Sequence, residues 1–432
     1  MKKILIISPD IPYPLTKGGR QGVFHFIDKL RDRYDISLLF ILDNIDKESY
    51  IELSSLWNNV TFYPLERPAI QERKESLFSK LYNLPYKVKD KIMYYSKKND
   101  TDKVSNSDFV RDNSTLNSSL VLVHSKEFID YVTKIATQEF DIIQVEFYPL
   151  LSLVHILPAN VEKIFIHHEL RYVRNEIEMS FFQKVTNWDK YVFKSSKLFE
   201  IETLRLYDKI VTVTDIDKLK LEQELEGKSI FASPSMVNMP EDNLSYKYKF
   251  NNKLTFVASA AHFPNYDGIK WFISNIWQQV YKKHPELELH IIGGGWNAEM
   301  FQDIELPKNI FFDGYVKDLK DILPNSISII PIRIGSGMRM KIIDAVNFKI
   351  PFITTSVGVE GLDFINGRDC LIADDANSFA QHITDLTKNE LLQNNLILSS
   401  HNTLRNMYNE DILINKRMLV YETSIPNKKF GK

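Results

Sequence analysis

Short aliphatic and β-branched runs alternate with amphipathic stretches along most of the chain, which predicts strands and helices in turn. Lys3–Ser8 reads as a strand buried on both faces, with Pro9–Gly19 as the loop behind it. About Gln21–Arg33 carries Val23, Phe24, Ile27 and Leu30 at helical spacing, and Ile36–Leu42 returns as a strand, giving a βαβ opening. The rhythm resumes with a helix near Ser125–Thr137, strands at Ile142–Glu146 and Lys163–His167, and a long helical stretch, about Glu176–Leu206. A strand at Lys209–Val213 and a helix from Asp215 complete this series. Phe231–Asp242, with Pro234 and Pro240, reads as a hinge. A second series then places strands at Leu254–Ser259, Leu287–Ile292, Ile310–Asp313 and Ile327–Ile330. A loop at His262–Gly268 precedes a helix at Ile269–His284, and helices near Ser378–Lys388 and beyond run to the C-terminus. At 432 residues the chain is too long for one ordinary core. The prediction is therefore an α/β protein of two Rossmann-like domains, residues 1–235 and 240–406.

One stretch of the second series carries candidate chemistry. In Ser326–Leu362 a buried strand runs into Gly335-Ser336-Gly337, a helix predicted from about Ser336, the strand PFITT and a second glycine loop. Glycines free the backbone to turn N–H groups toward one point, and a helix N-terminus behind them attracts anions. Arg339 and Lys341 fall in the first turn or so, where a cation opposes the helix dipole, so helix stability does not explain them; a bound anion does. Asp344 lies roughly 12 Å further along a helix, about the reach from a diphosphate to a ribose diol. A nucleoside-diphosphate site is one reading; a surface helix with two solvated cations and a tight turn is the other.

Composition narrows the classes. A net charge of −2 argues against a nucleic-acid binder that relies on a basic surface. The single cysteine, Cys370, leaves no intramolecular disulfide or cysteine-rich zinc site and favours a reducing, cytoplasmic setting. No apolar run approaches the ~20 residues of a membrane span, and the apolar start is cut by Pro9, Asp10 and Pro12, as a first strand rather than a leader. Residues 65–119 break the α/β rhythm. Within them Lys80–Lys98 sets six lysines and several tyrosines against one aspartate. That stretch can lie on anionic lipid, or it can be a solvated helical insertion whose aromatics pack on their own domain. Gly18-Gly19 before the first helix could meet a phosphate or substrate, or serve as plain turn chemistry. His167-His168-Glu169 ends a strand, where ligands of open α/β sheets gather. Adjacent residues face opposite ways, so His167 reads as buried structure and His168 as the functional candidate.

GSGMRMKIIDAVNFKIPFITTSVGVEGL resembles the donor-site signature of family 4 retaining glycosyltransferases, which have the GT-B fold. FPNYDGIKWFISNIW, ELHIIGGGW and FFDGYVKDLKDIL support it, and DIIQVEFYPL and IFIHHELRYVRNE resemble the N-terminal half of the same enzymes. The resemblance implies two Rossmann-like domains facing a central cleft, acceptor on the first and nucleotide-sugar donor on the second, with helices 407–432 crossing back. It implies retention, no metal, and an acceptor that is a glycan, lipid-linked or protein-linked, in surface polysaccharide or glycoconjugate synthesis. Carried over, the Gly335, Ser336 and Gly337 backbone meets the diphosphate and Asp344 the ribose. Tyr315 and Val316 lie near the base, Gly293 on the donor side, and His168 near the transferred sugar. Ser336 stands where the family places the first acid of its Glu-x7-Glu motif, Asp344 is a methylene shorter than the second, and ASAAHFPNYDG lacks the family's usual cations. Arg339 and Lys341 are the candidates to stabilise the leaving group instead. An epimerase of the same architecture and an inactive nucleotide-sugar-binding homologue are the alternatives. A nicotinamide dehydrogenase is disfavoured, because no GxGxxG follows the first strand.

Overall fold

A computed structural model describes residues 1–15, 18–67, 108–120, 123–237 and 247–424. The basic segment 80–98 therefore lies outside the described residues. The N-terminal half contains β1 (Lys3–Ser8), α1 (Gly18–Leu30), β2 (Asp35–Leu42), α2 (Lys47–Leu56), β3 (Thr61–Glu66), α3 (Phe109–Asn113), α4 (Lys126–Ala136), β4 (Ile142–Glu146) and β5 (Glu162–His167). It continues with α5 (Arg171–Ser180), α6 (Asn187–Leu204), β6 (Lys209–Thr212), α7 (Asp215–Glu224) and β7 (Ser229–Ala232). All seven strands are parallel, in the order β3-β2-β1-β4-β5-β6-β7. Helices cover such a sheet on both faces, which is why its inner strands are apolar on both sides.

The second half holds β8 (Lys253–Val257), α8 (Phe263–Phe272), a π-helical turn (Ile273–Trp277), α9 (Gln278–Lys283), β9 (Glu288–Ile292), β10 (Ile310–Gly314) and β11 (Ile327–Ile330). Then come α10 (Met340–Asn347), β12 (Phe352–Thr354), α11 (Ser356–Val359), β13 (Leu371–Ile372), α12 (Ala376–Lys388), α13 (Glu390–Met407) and α14 (Glu410–Glu422). The six strands are parallel in the order β10-β9-β8-β11-β12-β13.

Strand order reverses between β1 and β4 in one sheet and between β8 and β11 in the other. Ligands of open α/β sheets bind outside the strand ends at such switch points. Gly18-Gly19, expected before the first helix, open α1 behind β1, while Phe147 follows β4 and Gly335–Gly337 follows β11. The candidate segments therefore converge because of topology.

Several predicted boundaries shift. The long helix about Glu176–Leu206 is two helices, because Thr186 and Asp189 form a reciprocal capping box that starts α6 afresh. The loop expected over His262–Gly268 is mostly helix: α8 begins at Phe263, with Pro264 in its first turn, where a fixed φ favours the start. The helix expected from Ser336 begins at Met340, with Arg339 extended as its N-cap. Gly335 and Gly337, at φ 136° and 77°, keep the preceding turn open. The polar stretch up to Ser119 contains α3, capped by Asp108.

α14 packs back on the N-terminal half. The buried Tyr421 meets Tyr34 and Phe26 edge-on at 5.2 and 6.1 Å, Lys209 Nζ donates to Val420 O (2.6 Å), and Arg417 donates to Ser233 Oγ (2.9 Å).

Candidate functional site

On the N-terminal side, β4 and β5 end in a chain of polar groups. His168 Nε2 pairs with Glu146 Oε2 at 2.6 Å, and Gln144 Nε2 donates to Glu146 Oε1 at 2.5 Å. The Tyr421 hydroxyl of α14 donates to Gln144 Oε1 at 2.5 Å. Gln144, Glu146 and Tyr421 are buried, while His168 keeps part of its ring open. The imidazole also stacks on Phe147, ring centroids 3.9 Å apart. Packing on one face and a carboxylate at one nitrogen fix its orientation. His167 turns the other way, into the core, and pairs with Glu200 at 2.7 Å. Glu200 also accepts from the Arg171 and Tyr172 amides, closing the turn before α5. Glu169 faces the cleft. Burial pushes its carboxyl up, but Arg174 at 3.2 Å, with Arg171, His262 and Arg339, outweighs that and brings it to about 2. Burial and the neighbouring cations hold His262 down at about 4 despite Glu169.

On the C-terminal side, Arg339 folds back on its own loop and donates to the carbonyls of Ser336 and of Gly337, the latter at 2.7 Å. Lys341, in the first turn of α10, donates to Asn265 Oδ1 at 2.6 Å, and Asn265 donates to Ser259 O at 2.9 Å. Burial, with Arg339 close by, lowers the Lys341 ammonium to about 7. Asp344, one turn on, is raised by burial to about 6 although Lys341 opposes this. Both groups are thus held against the ionisation each prefers in water.

The two sides touch. Asp217, in the first turn of α7, accepts from Ser336 Oγ and from the Gly337 amide, both at 3.0 Å. The Leu170 amide donates to Ser336 Oγ at 2.9 Å. A carboxylate at position 336 would face Asp217 at hydrogen-bonding distance, so like-charge repulsion gives a physical reason for serine there. Gly337 permits the approach: a Cβ on it would lie 2.0 Å from the His168 carbonyl oxygen.

The other candidates divide. Gly18 packs on Met340 of α10, and Gly19 on the Phe147 ring, so both lie between α10 and the His168 stack. Gly293 follows β9, its amide donating to Gly314 O at 2.7 Å, in a place where a Cβ would strike Ala258 O at 2.0 Å. Tyr315, largely exposed, and Val316 follow β10, which β9 and β8 separate from β11, so they stand apart from Arg339 and Lys341. Glu146, Arg174, Asp217, His262 and Asn265 escaped the sequence reading, which noted Glu169 only as the neighbour of His168. Glu146 had a signal, since it ends an apolar strand as His168 follows one; Asp217 reads locally as a helix cap and nothing more.

Residues 251–389 match the family model of the group 1 glycosyl transferases. A 44.6 kDa protein in the cps region of Klebsiella pneumoniae is 25% identical over 407 residues, covering 90% of this chain and 92% of that one. Staphylococcus aureus TarM, solved as a variant with fondaparinux, alpha-GlcNAc-glycerol and UDP, superposes with a TM-score of 0.66 at 12% identity, over 98% of this chain and 100% of that one. Sucrose-phosphate synthase from Thermosynechococcus elongatus gives a TM-score of 0.67 at 13% identity, over 98% of each chain. Two facing parallel α/β sheets of this kind define the GT-B fold. The chain therefore has the GT-B fold, and residues 251–389 of its second half match the group 1 glycosyl transferase model.

Proposed function

We propose that the protein transfers a sugar from a nucleoside-diphosphate donor to a glycan or lipid-linked acceptor in surface polysaccharide or glycoconjugate synthesis. The observation that carries this reading is Lys341. It is a half-buried ammonium at the start of α10, hydrogen-bonded to a neutral amide and depressed to about 7. A diphosphate there would restore the charged form and gain the unpaired amides at the start of α10. Negative charge grows on the departing diphosphate as the glycosidic bond breaks, so a preset cation acts where the transition state needs it. Lys341, with Arg339 shaping the loop, can do this without a metal. Asp344 is placed to accept from a ribose hydroxyl. His168, oriented by Glu146 and Phe147, holds a hydroxyl of the transferred sugar or of the acceptor. Retention is carried over from the resemblance of the donor loop to family 4. The cps-region relative and the UDP and glycan ligands of TarM support the substrate classes. A cytoplasmic setting fits the nucleotide donor; among the described residues no helix is long and apolar enough to cross a membrane.

A thermal-shift screen of nucleoside diphosphates and nucleotide-sugars, in EDTA and in Mg²⁺, tests the reading, because a ligand of the native state raises the melting temperature. One nucleotide series should shift it equally in both buffers, and Lys341→Ala should lose the shift. No shift with any nucleotide would overturn the donor site, and a shift seen only with Mg²⁺ would overturn metal independence.

A further inference from the structure

The loop between β11 and α10, residues 331–339, is anchored in the opposite half of the chain. Its Ile334 is fully buried, and the other buried members of its apolar cluster all come from the N-terminal half: Val110 of α3, Leu116, Phe182, and Val192 of α6. One residue earlier, Arg333 pairs with Asp267 of α8 at 2.7 Å while its guanidinium lies 4.7 Å over the Phe181 ring. Further on, the Ser336 hydroxyl donates to Asp217 Oδ1 and accepts from the Leu170 amide, and the Gly337 amide donates to Asp217 Oδ2. Asp217 itself is almost fully buried.

A second contact runs beside it. Phe109 of α3 meets Phe263 and Tyr266 of α8 at 5.7 and 5.1 Å between ring centroids, and Lys270 of the same helix lies 4.3 Å over its ring. Two α/β halves joined by a linker move against each other unless the contact between them is extensive and apolar. Connecting loops ordinarily run over the surface and keep their backbone groups in water. Here an aliphatic side chain is sealed inside the opposite half, and a buried carboxylate takes the hydrogen bonds next to it. That combination opposes sliding and opening alike.

We propose that this loop is the joint that sets the two halves in register for turnover, with Ile334 and Asp217 as its positioning residues. Gly337 rests on the backbone of His168, where a Cβ would come within 2.0 Å of the carbonyl oxygen, and Lys341 stands in the first turn of the helix that follows. The tie therefore fixes the imidazole of one half against the ammonium of the other. Transfer between groups held on two separate bodies falls steeply when either is displaced by an ångström. Both residues act through the loop and not on the reacting atoms. The joint follows from the contacts alone; its effect on turnover rests on the sugar-transfer reading.

The test pairs Ile334→Ala, which empties the apolar pocket, with Asp217→Ala, which leaves the pocket filled and removes the carboxylate. Each should lower kcat for sugar transfer about tenfold or more, while the KM for nucleotide-sugar and the nucleotide thermal shift stay within about twofold of the wild type. Ile334→Val keeps most of the pocket filled and should hold kcat within about twofold. Small-angle scattering of the ligand-free proteins should show a larger radius of gyration in the Ile334→Ala, Asp217→Ala double variant than in the wild type. Variants with a lowered melting temperature but wild-type kcat would overturn the proposal, because the loop would then only stabilise the fold. A nucleotide shift lost together with kcat would overturn it as well, since the loop would be acting on the donor directly. A wild type that binds no nucleotide would sink the sugar-transfer reading by itself. Scattering then decides the joint, and a double variant as compact as the wild type overturns it.

Discussion

On the N-terminal side of the cleft, each buried base or cation near His168 faces a carboxylate. His168 has Glu146 at 2.6 Å, His167 has Glu200 at 2.7 Å, and Arg174 has Glu169 and Glu178 at 3.2 and 2.9 Å. Across the cleft, Lys341 donates among the described residues to the oxygen of the Asn265 amide, and the Arg339 guanidinium donates to carbonyls. Buried charges ordinarily pair with opposite charge, and one that does not shifts its pKa instead. The N-terminal edge is thus complete as it stands, a rigid platform that orients one imidazole. On the α10 side no carboxylate among the described residues takes a hydrogen bond from Lys341 or Arg339, and burial, with Arg339 close by, lowers the Lys341 ammonium although Asp344 opposes it.

The largest test of this contrast is Lys341→Ala, which should weaken nucleoside-diphosphate binding by about 3 kcal/mol, roughly a hundredfold, by isothermal titration. Lys341→Met should do the same while raising the melting temperature of the ligand-free protein, by about 1 kcal/mol in stability at pH 6. The sign follows from linkage. The folded-state pKa, about 7, lies below the ordinary lysine value, so the unfolded chain binds more protons between the two, and Lys341 makes stability rise with pH across that window. A ligand-free protein that Lys341→Met destabilises at pH 6 would mean the ammonium is already satisfied, and the contrast would fail.

Glu146→Gln keeps the shape of the His168 pair and removes its charge. It should lower kcat by about 2 kcal/mol, roughly thirtyfold, with the nucleotide thermal shift unchanged. A loss of nucleotide binding instead would show that the two edges are not separable. A smaller effect should come from pH alone. Protonated Lys341 binds an anion better than the neutral amine, so diphosphate affinity should fall about fivefold between pH 6.5 and 8. That slope should vanish in Lys341→Arg, whose charge does not titrate there.

The same contrast explains what the chain reveals to a reader of its sequence. The apolar runs give each strand, and the glycine-bracketed loop with Arg339, Lys341 and Asp344 stands out because all of its parts lie within ten residues. Local patterning is enough for an edge built from one segment. The N-terminal edge is assembled from β4, β5 and α14, so that Tyr421 reaches Gln144 across the whole domain. Asp217 meets Ser336 from the other half of the chain. Pairings of that separation leave no periodicity in the sequence, and Asp217 shows there only the capping pattern that its own helix needs. The misplaced helix starts have a local cause: the chain carried the Thr186-to-Asp189 capping signal and Pro264, but the apolar spacing on either side ran on past both.

Tyr421→Phe probes the far end of the N-terminal network and should have the smallest effect. The phenol ring stays packed on Tyr34 and Phe26, so only the hydroxyl is lost, together with its hydrogen bond to Gln144. Gln144 is fully buried and keeps its donation to Glu146, but its oxygen loses a partner. Leaving a buried acceptor unmade costs on the order of 1 kcal/mol in stability, read as a fall in the urea midpoint with an unchanged slope. Because Gln144 still orients Glu146, kcat should fall no more than about threefold, far short of Glu146→Gln. Equal losses in the two variants would mean that the hydroxyl of α14, and not the carboxylate of β4, sets the His168 ring, and that the platform extends through the C-terminal helix.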